Sequence, residues 1–221
     1  LAGSGPATAN LALVTIDVSK PAQLDRVPVP VKESWKSKHA SAAPTYLIWS
    51  PWGAEVFSGR LDQDAVREMT DSPVRSRLGE LLKQGNAAVL LILAGAKDAD
   101  TKRAQAVAKE VIDRGANGKI PVAGASGDSA ESPEAKPAGD GEPANDSRLE
   151  LAQLTLSRSD PQERWLIRML TAVEPDLPQF ADEPMIFGVY GRGRAMEPFV
   201  GKGITADNLT ELAVFLAGAC S

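Results

Sequence analysis

Ala87-Ala88-Val89-Leu90-Leu91-Ile92-Leu93 is the most apolar run of the chain, and the fold turns on how it is read. Gly85-Asn86 precedes it and Gly95 follows it, so turn residues bound a stretch too short for a convincing helix. A continuous apolar run of this length predicts a strand covered on both faces, as inside an α/β sheet. Upstream, Ser72-Pro73 predicts a helix start, with serine as the cap and proline at the first helical position. Val74, Leu78, Leu81 and Leu82 then fall at helical spacing on one face, and Gly85-Asn86 ends that helix. Downstream, Asp100 or Thr101 is the expected cap of a helix closed by Gly115. Its buried stripe is Ala104, Val107, Ala108, Val111 and Ile112.

Farther along, the spaced leucines Leu149, Leu151, Leu154 and Leu156 predict another strand. Asp160-Pro161 opens a helix with Trp165, Leu166, Met169, Leu170 and Val173 facing inward. Strand 185–190, a turn at 191–194 and strand 197–200 follow. The last helix is capped by Thr205, with Leu209, Leu212, Ala213 and Leu216 on one side. Toward the N-terminus, 11–18 alternates loosely and reads as a strand, while Pro21, Pro28 and Pro30 predict an extended segment. Strands at 45–49 and 55–57 around Pro51-Trp52-Gly53 read as a hairpin, and Asp62 as a helix cap.

Residues 116–147 are dense in Gly, Pro, Ser, Ala and acidic groups. Such a stretch buries too little apolar surface to offset its ordering entropy, so it predicts a flexible acidic insertion with only 120–122 tied down. A solvated loop is the plain reading, and a partner-binding segment is the other.

The bulk composition narrows the function classes. An apolar share of 43% with 24% charged residues over 221 residues supports a globular core, built mostly from aliphatic groups because aromatics are only 5%. A formal charge of −5 argues against a nucleic-acid surface, which needs a concentrated basic face. No apolar run is long enough for a transmembrane segment. One cysteine, Cys220, allows no internal disulfide and no Cys-rich zinc site. The one histidine, His39, lies in Lys36-Ser37-Lys38-His39 and reads as an exposed loop residue rather than a base. The start, Leu1 to Pro6, would suit a chain freed from a signal peptide, and an artificial start would read the same. Export, as to a periplasm, is the expectation, with the cytoplasm as the other compartment the composition allows.

From Ala87 the order is strand, helix, insertion, strand, helix, then proline-strand, turn, strand and helix. Pro184-Met185-Ile186-Phe187-Gly188-Val189-Tyr190, the turn through Arg194, Phe199-Val200-Gly201 and the helix from Thr205 resemble the last third of a thioredoxin. The resemblance covers roughly the second half of the chain. It implies a cis Glu183-Pro184 bond beside a functional groove. It also implies where a reactive dithiol would lie, at the start of the helix after strand 87–93, because a helix N-terminus lowers a thiol's pKa. Here that stretch is Ala94-Gly95-Ala96-Lys97-Asp98-Ala99-Asp100, without cysteine, serine or histidine.

These readings add up to an α/β three-layer sandwich with a thioredoxin-like mixed sheet. Residues 1–84 form a strand/helix extension packed on a core of 85–221. The expected function is a redox-inactive binding or assembly module needing no cofactor or metal, its partner a protein or an extended peptide. Its candidate groove is Lys97, Asp98, Glu183 and Pro184. The alternative is a thiol redox or metal-handling protein using Cys220 in a dimer or with residues beyond Ser221. Beside Lys97, the carboxylates of Asp98 and Asp100 could also bind a cation or act as acid and base, although capping by Asp100 needs no such chemistry. Arg192 and Arg194 could contact an anion, against the simpler reading of a hairpin turn. Trp49 and Trp52 flank Pro51 and read as packing residues, or else as partner anchors.

Overall fold

The computed structural model describes residues 12–39, 45–50, 53–121, 148–216 and 218. The chain divides into two compact units, Leu1–Ser72 with Pro161–Leu177, and Pro73–Asp160 with Pro178–Ser221. In chain order the first part holds helices α1 (Pro21–Leu24) and α2 (Val29–His39), strands β1 (Tyr46–Trp49) and β2 (Glu55–Gly59), and helix α3 (Gln63–Thr70). Then come α4 (Pro73–Lys83), β3 (Ala88–Leu93), α5 (Asp98–Ala116), β4 (Leu151–Leu156) and α6 (Arg164–Thr171). Strands β5 (Met185–Tyr190), β6 (Arg194–Ala195) and β7 (Phe199–Val200) precede the last helix, α7 (Ala206–Leu216).

In the first unit β1 and β2 form the expected antiparallel hairpin, with an irregular register between Ile48 and Trp49. The Asp62 carboxylate caps α3 by accepting the Ala65 N–H at 2.7 Å. Two expectations fail here. The prolines do not give an extended segment: Pro21 opens α1 and Pro30 lies in the first turn of α2. A first-turn residue has no intrahelical acceptor for its N–H, so proline loses nothing there. Ala12–Asp17 form no strand, because alternation alone makes no ladder without a neighbour, and Leu13 and Val14 are 85% and 73% exposed. His39 ends α2 rather than sitting in a loop.

The second unit is a mixed sheet in the order β4-β3-β5-β6, with β7 also paired to β5. β3 runs parallel to β4 and antiparallel to β5. Every residue of β3 is buried, as its unbroken apolar run predicts. Ala88, Leu90 and Ile92 join Ala104, Ala108 and Val111 of α5 and Leu209, Leu212 and Leu216 of α7 in one core cluster. Helix α4 also packs on β3 and β4 and buries Leu78 and Leu81, which lie outside that cluster. The architecture is therefore α/β, helices packed on a mixed sheet.

Local departures have physical causes. Helix α5 starts at Asp98, before the expected caps, with Asp98 and Asp100 in its first turn. Carboxylates there face the positive end of the helix dipole. Thr101 is instead an acceptor for the loop, its Oγ1 taking the Gly95 N–H at 3.0 Å. Gly115 does not end α5. It is buried inside the helix, where a Cβ would stand 2.6 Å from the Leu149 carbonyl oxygen, and the chain turns at Gly118 with φ 66°. Pro198 cannot donate to a ladder, so the expected strand 197–200 shrinks to β7, and Arg194 belongs to β6 rather than to the turn. Ile120 is 1% exposed and joins the core. The rest of the expected insertion, 122–147, lies outside the described residues.

Candidate functional site

β3 and β4 are parallel and β5 runs against them, so the ends of β3 and β4 meet the start of β5 at one edge of the sheet. The loops there are bonded to one another. Ala94 N–H donates to Leu156 O at 2.9 Å, and Ala96 N–H donates to Asp182 O at 2.8 Å. Arg158, in the loop after β4, donates from Nε to Ala94 O at 2.8 Å and from Nη2 to Glu183 O at 3.1 Å. One guanidinium thus ties the loop after β3 to the loop before β5. Burial pulls the Arg158 guanidinium below its usual pKa, while the nearby Asp182 carboxylate pulls the other way.

Glycine lets these loops approach. A Cβ on Gly95 would lie 2.7 Å from Pro184 N, 2.8 Å from Asp182 O and 2.9 Å from Pro184 Cδ. Two of those atoms are backbone, so no rotamer change would relieve the clash. On the far side of Pro184, Gly201 at φ 50° donates its N–H to Pro184 O at 2.9 Å. The Glu183 carboxylate stands where a Gly201 Cβ would go, 2.6 Å from that position. Arg103 of α5 donates to Gly201 O at 2.9 Å, which holds that turn against the helix.

The four candidate groove residues are brought to this edge. Pro184 is buried, while Lys97, Asp98 and Glu183 are exposed around it. Lys97 is the N-cap of α5, with extended backbone and no side-chain capping bond. The loop offers backbone groups, one cation and carboxylates, and it carries no thiol, hydroxyl or imidazole. Asp182 O and Glu183 O already accept bonds from within the chain, and Pro184 has no N–H to give. A ligand would therefore meet mainly the exposed side chains of Lys97, Asp98 and Glu183.

Arg192 and Arg194 are exposed at the other end of β5, about 20 Å away at roughly 3.3 Å per strand residue. The Arg194 guanidinium lies 5.9 Å from the Tyr190 ring centroid. They do not share an edge with the start of α5. Trp49 is half-buried in β1, while Trp52 and Cys220 lie outside the described residues. Among the described residues no cluster of His, Cys, Asp and Glu could hold a metal ion, and no helix is long and apolar enough to cross a membrane.

Sequence reasoning missed Arg158 and Arg103, the side chains that hold the site together. An arginine in a Ser157-Arg158-Ser159 turn looks solvated until the carbonyls it serves are brought in from 64 and 25 positions away. Gly95 carried a signal, a glycine right after a buried strand, of the kind that permits close backbone approach. Comparison with protein-family models, with curated proteins and with solved structures finds no match for this chain.

Proposed function

We propose that this chain is a binding or assembly module of thioredoxin-like, three-layer form, without thiol redox activity, that receives an extended protein segment at the Pro184 edge. The observation that carries this reading is the union of Gly95, Arg158 and Gly201 around Pro184. It forms a pre-organised edge at the C-terminal ends of parallel strands, where α/β sheets commonly place their ligands. The sheet order, with β3 between parallel β4 and antiparallel β5 and the β6 and β7 pairings beyond, agrees with a thioredoxin core. The loop Ala94 to Asp100 has no group able to attack a disulfide. Export to an envelope or periplasmic compartment belongs to the same proposal.

Two measurements test it. The 221-residue chain should not speed insulin reduction beyond dithiothreitol alone, and Cys220→Ser should change nothing. In titrations with a library of extended peptides, backbone amide shifts should move at 94–98 and 182–185, and Lys97→Glu should weaken that response. Disulfide turnover abolished by Cys220→Ser, or peptide shifts confined to other regions, would replace this reading.

A further inference from the structure

Two features lie outside the Pro184 edge, and each lacks what the other has. Ala12–Asp17 is an apolar, β-branched segment in no ladder, with Leu13 and Val14 among the most exposed large apolar side chains described. Its end is anchored, since Asp17 N–H donates to Gln23 Oε1 at 2.7 Å and the Asp17 carboxylate accepts from Ser19. At the outer edge of the sheet, β4 pairs with β3 alone among the described residues. Its sequence, Leu-Ala-Gln-Leu-Thr-Leu, has none of the lysine or proline that usually blunts a free edge.

The two stretches match in length, in charge and in the pattern of their faces. Both cover the same span, about 20 Å when extended. Neither carries a charge except at the terminal Asp17. Alternate residues of a strand share a face, so β4 presents Ala152, Leu154 and Leu156 on one side and Leu151, Gln153 and Thr155 on the other. The segment repeats this division, with Ala12, Val14 and Ile16 wholly apolar and Leu13, Thr15 and Asp17 mixed. Paired with like faces together, the apolar sets of both strands would continue one surface.

We propose that Ala12–Ile16 of one copy adds as a strand to the β4 edge of a second copy. The pairing gives the edge its missing ladder and covers Leu13 and Val14, and reciprocal exchange closes a dimer. It is independent of any ligand at Pro184.

The test uses the 221-residue chain. Sedimentation across micromolar to millimolar concentration should show a monomer–dimer equilibrium. Val14→Pro, which removes an N–H from the added strand, should abolish the dimer. Leu13→Asp should do the same. Both positions are exposed and unpaired, so the melting temperature of the monomer should not change. In a Cys220→Ser background, a mixture of Thr15→Cys and Gln153→Cys chains should give a disulfide heterodimer in preference to either homodimer. A monomer at every concentration overturns the proposal. So does a dimer indifferent to Val14→Pro, or a chain carrying both cysteines that closes on itself at high dilution.

Discussion

Strands β1 and β3 are both short and apolar, yet they live in different surroundings. Every side chain of β3 is 0% exposed. In β1 Tyr46 is 40% exposed and Leu47, Ile48 and Trp49 are only half-buried. The difference shows in what holds each region. Around β3 apolar contact with α5 and α7 supplies the stability, at about 1.5–3 kcal/mol for each large side chain fully buried. Around the hairpin the ties are mixed. Phe57 of β2 meets Trp165 of α6 edge-on at 5.2 Å between ring centroids, and the Arg168 guanidinium lies 5.5 Å and 5.4 Å from the Phe57 and Trp165 rings. Arg164 pairs with Glu68, and the Ser72 hydroxyl donates to the buried Glu163 carboxylate. Lys38 and Ser34 of α2 bond the Glu55 carboxylate of β2. Where burial is complete, apolar packing dominates. Around the hairpin charge and ring geometry carry a larger share, partly through buried Ser72, Glu163 and Trp165.

The sharpest way to break this contrast is a matched pair of truncations. Leu90→Ala, inside the core cluster, should cost about 2–5 kcal/mol of unfolding free energy. Leu47→Ala in half-buried β1 should cost well under half as much. Urea unfolding of the two variants decides it, and equal losses would show that the hairpin is as dependent on apolar packing as the sheet.

A smaller effect is expected from Arg168→Met, which keeps most of the side-chain length and removes the charge over the two rings. Cation–π contacts at exposed sites are worth about 0.5–1 kcal/mol. Hydrogen exchange should quicken in β2 and α6 while β3 amides keep their protection. Uniform acceleration throughout the chain would show that the two regions are not held by different forces.

The smallest effect depends on pH. Burial raises the Glu55 pKa, but hydrogen bonds from Lys38, Ser34 and Ser58 outweigh it and hold the carboxyl below its ordinary 4.5. A carboxyl depressed in the folded state stabilises above its unfolded pKa, and that contribution is lost as pH falls through the lower folded value. The stability gap between the wild-type chain and Glu55→Gln should therefore be constant near neutrality and shrink below about pH 4.5. A gap unchanged down to acid unfolding would remove the carboxylate's role in tying β2 to α2.

Much of the sheet unit was legible because its signals are local and strong. An unbroken apolar run marked β3, Thr205 marked a cap, and spaced leucines marked β4 and the inner face of α7. The stretch before β1 was not. Proline reads as a breaker, although at the first turn of a helix it fits, and alternation at 11–18 carries no information about a partner strand. The candidate site was half legible. Lys97, Asp98, Glu183 and Pro184 came from the thioredoxin resemblance, and the fold brings them to one end of the sheet. Arg158 could not be found, because its role depends on carbonyls that only the register of β3, β4 and β5 brings within reach.

By itself the sequence determined the α/β class, the buried central strand, the starts of α3, α4 and α7, and the lack of cysteine, serine and histidine in the loop after β3. Those properties rest on residue chemistry and on periods of two and 3.6 residues, which act over one turn or one strand. The tertiary structure alone decided that Gly95 lies against Pro184, that Gly115 is a packing position rather than a helix stop, and that one guanidinium joins two loops. Each of these depends on distances between segments remote in the chain. Such distances are set by strand pairing and core packing, and no local pattern encodes them.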